Sequence, residues 1–134
     1  MSLVQRMRIL APRDTSLSVL MVQNVAKQAG LRPIKVAALA TAVSELTTNI
    51  IKYATNGCGM ITVQVIERRY RKGVEVTVQD NGPGIANLEE AMLDHVSTSG
   101  TLGLGLPGTQ RMVDEFDIQS TLGEGTQVKV VVWV

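Results

Sequence analysis

Apolar residues recur at three- and four-residue intervals in two stretches of the first half of the chain, and this spacing predicts two amphipathic helices. The first covers residues 17–29, with an N-cap among residues 14–16 and Gly30 as its stop signal. The second follows Pro33 and keeps its apolar stripe as far as Ala54. Both helices need a partner layer on which to bury that stripe.

Alternation of apolar and polar residues predicts strands elsewhere in the chain. These strands cover residues 5–10, 60–66, 74–80, 116–121 and 127–134. The polar stretch ERRYRKG joins the second and third strands and predicts a hairpin, and helices are expected at residues 88–93 and 107–115. The order β-α-α-β-β-α-α-β-β predicts an α+β fold, a two-layer sandwich with helices on one face of a mixed, mainly antiparallel sheet.

Composition narrows the class of protein. A length of 134 residues, 45% of them hydrophobic and 19% charged, predicts one folded domain over residues 1–134. A net charge of +1 and only four aromatic residues argue against a nucleic-acid partner. With a single cysteine the chain cannot form an internal disulfide, and one cysteine with one histidine is too few of the usual ligands to favour a zinc site. The N-terminus resembles no leader and no long apolar run is evident, so we expect a cytoplasmic protein without a membrane partner.

Three polar residues share one flank of the second predicted helix. Glu45, Asn49 and Lys52 stand one turn apart, beside the apolar stripe. An amide oxygen can hold Mg²⁺ while a nearby carboxylate accepts a proton and a lysine meets phosphate. The alternative is the ordinary polar flank of an amphipathic helix, and these residues by themselves do not decide between the two.

Two glycine-containing segments follow. In DNGPGI, Asp80 can accept a hydrogen bond from an exocyclic amine, and Gly82 and Gly84 allow a ligand to approach the backbone; a simple turn is the alternative. The segment STSGTLGLGLPGTQ precedes a helix and offers successive N–H groups to an anion, with a flexible hinge as the alternative. It contains GxGxxG but no Walker sequence, and no strand leads into it.

A cluster of basic residues lies between the second and third strands. Arg68, Arg69, Arg71 and Lys72 fall in the predicted loop, where solvated charge is common. Docking onto a partner is the other interpretation.

The segments ELTTNIIKYA, DNGPGI and TSGTLGLGLPG, in this order, resemble the N, G1 and G2 boxes of the GHKL ATPase/kinase superfamily. The phrases HVSTSG, GLGLPG, RMVDEF and GEGT are similar to the small serine/threonine switch kinases of the bacterial stressosome, the RsbT type. The resemblance covers essentially the whole chain. It implies a Bergerat-type ATP-binding fold, with ATP and Mg²⁺ as cofactors.

The resemblance also implies roles for particular residues. Glu45 would be the general base, Asn49 the Mg²⁺ ligand and Asp80 the adenine anchor. Further cofactor-binding residues would be Lys52 after the N box, Gly82 and Gly84 in the floor of the base pocket, Ser99, Gly100, Gly103, Leu104 and Gly105 in the ATP lid, and Thr126 on a late strand.

Kinases of this type phosphorylate a STAS-domain antagonist and then activate a PP2C-type phosphatase by binding it, so the resemblance implies both partners. Two rival functions remain open. An ATP-driven conformational machine would need further domains than 134 residues allow. An anti-sigma factor, or another nucleotide-dependent binding module, shares the three boxes and is harder to separate from a kinase.

Overall fold

The computed structural model describes residues 4–53, 59–81 and 106–134. Its elements are β1 (Val4–Ile9), α1 (Pro12–Ala29), α2 (Pro33–Tyr53), β2 (Gly59–Arg68), β3 (Arg71–Asp80), α3 (Leu106–Met112), β4 (Glu115–Thr121) and β5 (Gly125–Trp133). The predicted α+β class is confirmed, and every strand pair within the described residues is antiparallel rather than mixed. The helix expected at residues 88–93 lies outside the described residues.

The five strands form one sheet in the order β1-β2-β3-β5-β4. Because side chains alternate along a strand, Val74, Val76 and Val78 of β3 face the helices together with their partners on β5. The core between the two layers includes Val22, Val25, Leu39, Val43, Leu46, Ile50, Ile61, Val63, Val74, Val76, Val130 and Val132. We call the opposite side of the sheet, which carries Thr77 and Lys129, the open face.

Helix α1 begins earlier than the sequence predicts. Its first residue is Pro12 and its N-cap is Ala11, so Asp14 is the third helical residue instead of a cap. The Asp14 Oδ2 atom accepts hydrogen bonds from the backbone N–H groups of Leu10 at 2.8 Å and Ala11 at 2.9 Å. A carboxylate that reaches back in this way satisfies donors at the helix start, which explains why no capping side chain is needed at Ala11.

The hairpin predicted across ERRYRKG is confirmed, but its loop is much shorter than the polar stretch. Strands β2 and β3 continue through most of that stretch, and Arg68 pairs with Arg71 across a two-residue turn. The turn residues, Arg69 and Tyr70, have φ values of 48° and 68°. Positive φ at both positions is the geometry that matches the twist of a tight hairpin, although each costs a residue with a Cβ roughly 1–2 kcal/mol.

Helix α3 is shorter than predicted, because strand pairing begins where the helix was expected to continue. It ends at Met112, and Glu115 already belongs to β4. The backbone N–H of Asp114 donates to the Val131 carbonyl at 2.9 Å, and Asp114 Oδ2 accepts from the Trp133 N–H at 2.7 Å. These bonds attach the chain to β5 before another helical turn can form.

Helix α2 is the core helix of the domain. Residues Pro33–Ile51, with a mean hydropathy of 1.3, are long and apolar enough to cross a membrane by length and composition, contrary to the expectation that no such stretch exists. Its stripe of Val36, Leu39 and Val43 is buried in the core against α1 and the sheet. Core helices meet the same criterion, so the finding carries no evidence for a membrane span.

The hydrogen bonds to Asp14 predict a pH-dependent contribution to stability. The N–H groups of Leu10 and then Ala11 lower the pKa of the Asp14 carboxyl below its ordinary value of 3.8. A lowered folded-state pKa stabilises the protein above the unfolded-state value, and this contribution is lost as the pH falls through the folded-state pKa. We therefore expect Asp14→Asn to lower the Tm at neutral pH.

The difference in Tm between wild type and Asp14→Asn should close in acid, below about pH 3.8. Thermal unfolding followed by circular dichroism across this range measures it. Asp117→Asn, which removes the same charge from an exposed position on β4, is the matched control. A Tm difference that stays constant down to the acid limit would contradict this account.

Candidate functional site

One end of the sheet brings together the first residue of β2 and the last of β3. Gly59 pairs with Asp80 there. A Cβ built on Gly59 would lie 2.6 Å from Cγ2 of Ile50, closer than real Cβ contacts allow. Only glycine therefore permits the last turns of α2 to lie directly over this end of the sheet. We call the space between α2 and this end the helix-side site.

Helix α2 presents a polar flank beside its buried stripe. Glu45 and Asn49 are both half-buried, next to the buried Leu46 and Ile50. The buried Thr47 on the same helix is accounted for locally, since its hydroxyl donates to the Val43 carbonyl at 2.8 Å. Glu45 and Asn49 are thus half-buried flank residues one turn apart, and Asn49 directly precedes the Ile50 that contacts Gly59. Lys52 lies in the last turn of α2, and its side chain is outside the described part of the chain.

Asp80 ends β3 and is held by the start of β5. Its Oδ1 atom accepts the backbone N–H of Thr126 at 3.3 Å. The Thr126 hydroxyl lies 2.8 Å from that of Ser120 on β4, and Ser120 also donates to the Gly125 carbonyl at 3.2 Å. Asp80 lies two residues after Val78 on β3, and Thr126 lies two residues before Val128 on β5. Because both valines face the helices, Asp80 and Thr126 are also on the helix side.

Gly125 is a residue of this site that the sequence reasoning treated only as part of a turn. Its φ is +120°, and a Cβ at this position would lie 2.0 Å from the Asp80 carbonyl oxygen. The backbone of β5 thus presses directly against the backbone of Asp80. The signal in the sequence was the pair of glycines in GEGT, of which Gly123 makes the turn and Gly125 the close contact.

The remaining predicted site residues divide by position. Gly82, Gly84, Ser99, Gly100, Gly103, Leu104 and Gly105 lie outside the described residues. Leu106, which follows the glycine-rich segment, begins α3 and packs on the core. The next three residues of α3, through Thr109, are buried, and α3 contacts α2. The C-terminal end of that segment is therefore fixed beside the helix that carries Asn49.

A shallow cleft of about 270 Å³ lies at the same end of the sheet but on its other side. It is lined by Asp80, Gly125 and Thr126 and, on the open face, by the cross-strand neighbours Gln79, Gln119 and Gln127. These glutamines alternate with Asp80 and Thr126 and so point away from α2. The cleft opens on the side of the sheet away from α2, and Asp80 and Thr126 belong both to its lining and to the helix-side site.

The few oxygen atoms that the helix-side site can offer suit a cation whose other ligands are phosphate and water oxygens. Within residues 4–53, 59–81 and 106–134, no group of three or more His, Cys, Asp or Glu side chains could hold a metal ion. The half-buried Asn49 amide can still supply one oxygen to Mg²⁺, which accepts phosphate and water oxygens for the rest of its sphere. A phosphate-bound Mg²⁺ fits these residues, whereas a dedicated metal cage does not.

The family described as the histidine kinase-like ATPase domain matches residues 10–132. The chain therefore belongs to this family, and the resemblance to GHKL ATPases and kinases is confirmed. An ATPase domain of this class binds ATP. Within the family the chain is 40% identical to the serine/threonine-protein kinase RsbT of Bacillus subtilis (strain 168), over 95% of this chain and 94% of that protein. The predicted enzyme class, a GHKL-type protein kinase, is borne out by that match.

Anti-sigma factors are also similar to this chain. The anti-sigma F factor of Thermoanaerobacter sp. (strain X514) is 32% identical over 75% of this chain and 71% of that protein. A crystal structure of RsbU and RsbW domains from Mycobacterium tuberculosis superposes with a TM-score of 0.64 at 18% identity. The superposition covers 96% of this chain and 32% of that protein. At this sequence identity it supports the fold alone. Kinase and anti-sigma relatives together indicate a regulator of the partner-switching type.

The contact between Gly125 and Asp80 predicts a specific sensitivity. Gly125→Ala places a Cβ into the Asp80 carbonyl oxygen at a backbone conformation that alanine rarely adopts, so β5 must shift away from β3. We expect a loss of roughly 2–3 kcal/mol in the free energy of unfolding. We also expect at least severalfold weaker nucleotide binding in the protein that remains folded.

Gly123→Ala is the matched control, because Gly123 also has a positive φ of 84° but nothing lies within 4 Å of its added Cβ. It should lose only about 1 kcal/mol, the cost of a left-handed alanine, and keep its nucleotide affinity. Urea unfolding and calorimetric titration with ATP measure both quantities. Equal effects of the two substitutions would show that the close contact has no special role.

Proposed function

We propose that this chain is an ATP- and Mg²⁺-dependent serine/threonine kinase that phosphorylates a STAS-domain antagonist protein. The observation that carries the proposal is the arrangement at one end of the sheet: β5 holds Asp80 in place, and Ile50 of α2 packs directly on Gly59, the strand partner of Asp80. The same end of α2 carries the half-buried Glu45 and Asn49. The similarity to a serine/threonine-protein kinase over 95% of the chain supports the same activity.

The proposed binding of the nucleotide base uses a fixed acceptor. Because the Thr126 N–H and the Gly125 backbone hold Asp80 from one side, its carboxylate can accept a hydrogen bond from the exocyclic amine of adenine without rearranging. The Thr126 hydroxyl, oriented by Ser120, lies on the same side of the sheet. In this proposal Gly82 and Gly84 form the floor of the pocket.

The phosphate end of the site rests on the α2 flank and the glycine-rich segment. Asn49 would give one oxygen to Mg²⁺, and Lys52, one turn further along, would face phosphate. Mg²⁺, when bound, supplies charge neutralisation on the phosphate oxygens. The lid residues Ser99, Gly100, Gly103, Leu104 and Gly105 would offer backbone N–H groups to the same oxygens.

Glu45 is proposed as the general base. It lies one helical turn before Asn49 on the same half-buried flank, so an acceptor hydroxyl that reaches the nucleotide would also meet this carboxylate. Glu45 would take the hydroxyl proton as the new oxygen–phosphorus bond forms and the bond to the ADP oxygen breaks. Positioning and electrostatic stabilisation provide most of the catalysis in such a reaction, which a small domain can supply.

Two partners follow from this function. The phosphate acceptor would be a serine or threonine of a STAS-domain protein in a cytoplasmic stressosome, and the kinase would afterwards bind and activate a PP2C-type phosphatase. The similarity to the serine/threonine-protein kinase RsbT supports this assignment. The anti-sigma relatives support a second candidate, a nucleotide-dependent anti-sigma factor. Binding of a sigma subunit in preference to a STAS protein would favour that candidate.

The test of the kinase is transfer of label from γ-labelled ATP to a panel of STAS-domain proteins from the same cell. Glu45→Gln should lower the transfer rate at least about 10²-fold with ATP binding retained, because only the base is lost. Asn49→Ala should lower Mg²⁺-dependent ATP binding and transfer together. Thr41→Ala, on an exposed position of α2 whose hydroxyl only contacts the Ala37 carbonyl, is the control and should be unchanged.

Phosphoserine or phosphothreonine on the STAS protein, lost in Glu45→Gln, supports the kinase. Full activity of Glu45→Gln would remove Glu45 from its role. Binding of ATP without transfer to any STAS protein would favour the anti-sigma candidate.

A further inference from the structure

The hairpin tip at residues 67–72 is the positive pole of the described surface. It holds four basic residues and one acid, a net charge of +3, whereas the whole chain has a net charge of only +1. The remainder of the chain is therefore net negative. Among the described residues, Arg68 forms ion pairs with Glu75 and Glu115, while none is formed by Arg69, Arg71 or Lys72. Most of the positive charge at the tip is thus available to an approaching molecule.

An aromatic ring projects from the centre of this charge. Tyr70 is 100% exposed, the extreme among the large hydrophobic side chains of the described residues. It occupies a left-handed turn position, with a φ of 68°, that Asn or Gly would adopt at lower cost. A fully exposed tyrosine in an unfavourable backbone conformation contributes nothing to the fold. Tyrosine and arginine are, however, the residues most enriched at the centre of protein interfaces.

The base of the hairpin is braced, so the tip is presented in a defined orientation. The Trp133 ring packs over Gly73, where a Cβ would lie 2.6 Å from Cε3 of the ring. The guanidinium groups of Arg68 and Arg71 lie 5.4 and 5.0 Å from the ring centroid. The Trp133 Nε1–H donates to Glu115 at 3.0 Å, which links the hairpin to β4. A rigid loop loses little conformational freedom on binding, which favours association.

The position of the tip restricts which partner can use it. Strand β3 runs from Arg71 at the tip to Asp80 at the helix-side site, and ten residues of extended chain span roughly 30 Å. A phosphate acceptor must place its hydroxyl beside Glu45 and the nucleotide, at the Asp80 end. A protein bound at the hairpin tip leaves that end accessible and need not deliver a hydroxyl to it.

We propose that the β2–β3 hairpin tip is the docking surface for the partner that is bound without being phosphorylated, and that this partner offers an acidic surface with a cleft for the Tyr70 ring. Under the proposed function, on which this inference rests, that partner is the PP2C-type phosphatase. Acidic groups on it pair with Arg69 and Lys72 around the ring, so the association weakens as the salt concentration rises.

The experiment measures the affinity of this chain for the PP2C-type phosphatase from the same cell by calorimetric titration at two salt concentrations. Arg69→Glu and Tyr70→Asn should each weaken binding about tenfold or more, and Arg69→Glu should also reduce the salt dependence. Tyr70→Asn should unfold at the same or a higher temperature than wild type, because asparagine tolerates positive φ. A loss of affinity therefore cannot arise from unfolding.

Arg6→Glu is the matched control, since it makes the same charge change at an exposed position on β1. It should change the affinity less than twofold. Transfer of phosphate to the STAS-domain protein is measured for every variant and should stay within twofold of wild type. This second measurement separates the two proposals. If the wild-type chain transfers no phosphate, the kinase proposal is contradicted, and the result of the phosphatase titration does not alter that conclusion.

Four results would overturn the docking inference. The first is a wild-type chain that does not bind the phosphatase, and the second is binding that neither hairpin variant weakens. The third is a parallel fall in phosphate transfer, which would place the acceptor at the hairpin. A double-stranded oligonucleotide titrated alongside, bound by wild type and released by Arg69→Glu, would assign the tip to nucleic acid and also contradict the proposal.

Discussion

The close approach of two backbones, that of Gly125 to that of Asp80, is the constraint on which the site depends. Asp80 is the last residue of its strand, where a chain would ordinarily begin to diverge from its neighbours. The carbonyl contact with Gly125 and the hydrogen bond from the Thr126 N–H hold it on the helix side instead. A second glycine, Gly59, brings α2 down onto the same end of the sheet. The site is therefore defined by two positions at which no side chain fits.

Long-range contacts of this kind explain which parts of the structure could be predicted from the sequence. The periodic stripe of α2 and the alternation in β3 are properties of neighbouring residues, and the corresponding elements formed as predicted. Asp80 and the α2 flank could be singled out only through the resemblance to the N and G1 boxes, because their side chains alone also suit a turn and an ordinary polar flank. The role of Gly125 could not, because a glycine in a turn and a glycine against a distant backbone look the same in sequence.

The errors at element ends have a common physical cause, which is hydrogen bonding to residues outside the local pattern. Asp14 resembles an N-cap, but its carboxylate reaches back to Leu10 and Ala11 and lets the helix begin earlier. The charged stretch between β2 and β3 resembles a long loop. Its residues instead continue the ladder up to the Arg68–Arg71 pair, supported by the packing of both arginines on Trp133. Local charge predicts exposure correctly but says little about backbone pairing.

The stacking of Trp133 between the hairpin and β4 has a consequence for how this protein can be observed. Trp133 is the sole tryptophan of the chain. Its ring lies under the guanidinium groups of Arg68 and Arg71 of the braced hairpin, and its indole N–H donates to Glu115 of β4. The intrinsic fluorescence of the chain therefore reports the electrostatic surroundings of one end of the sheet. It is a built-in optical probe of events at the hairpin rather than at the Asp80 end of β3, roughly 30 Å away.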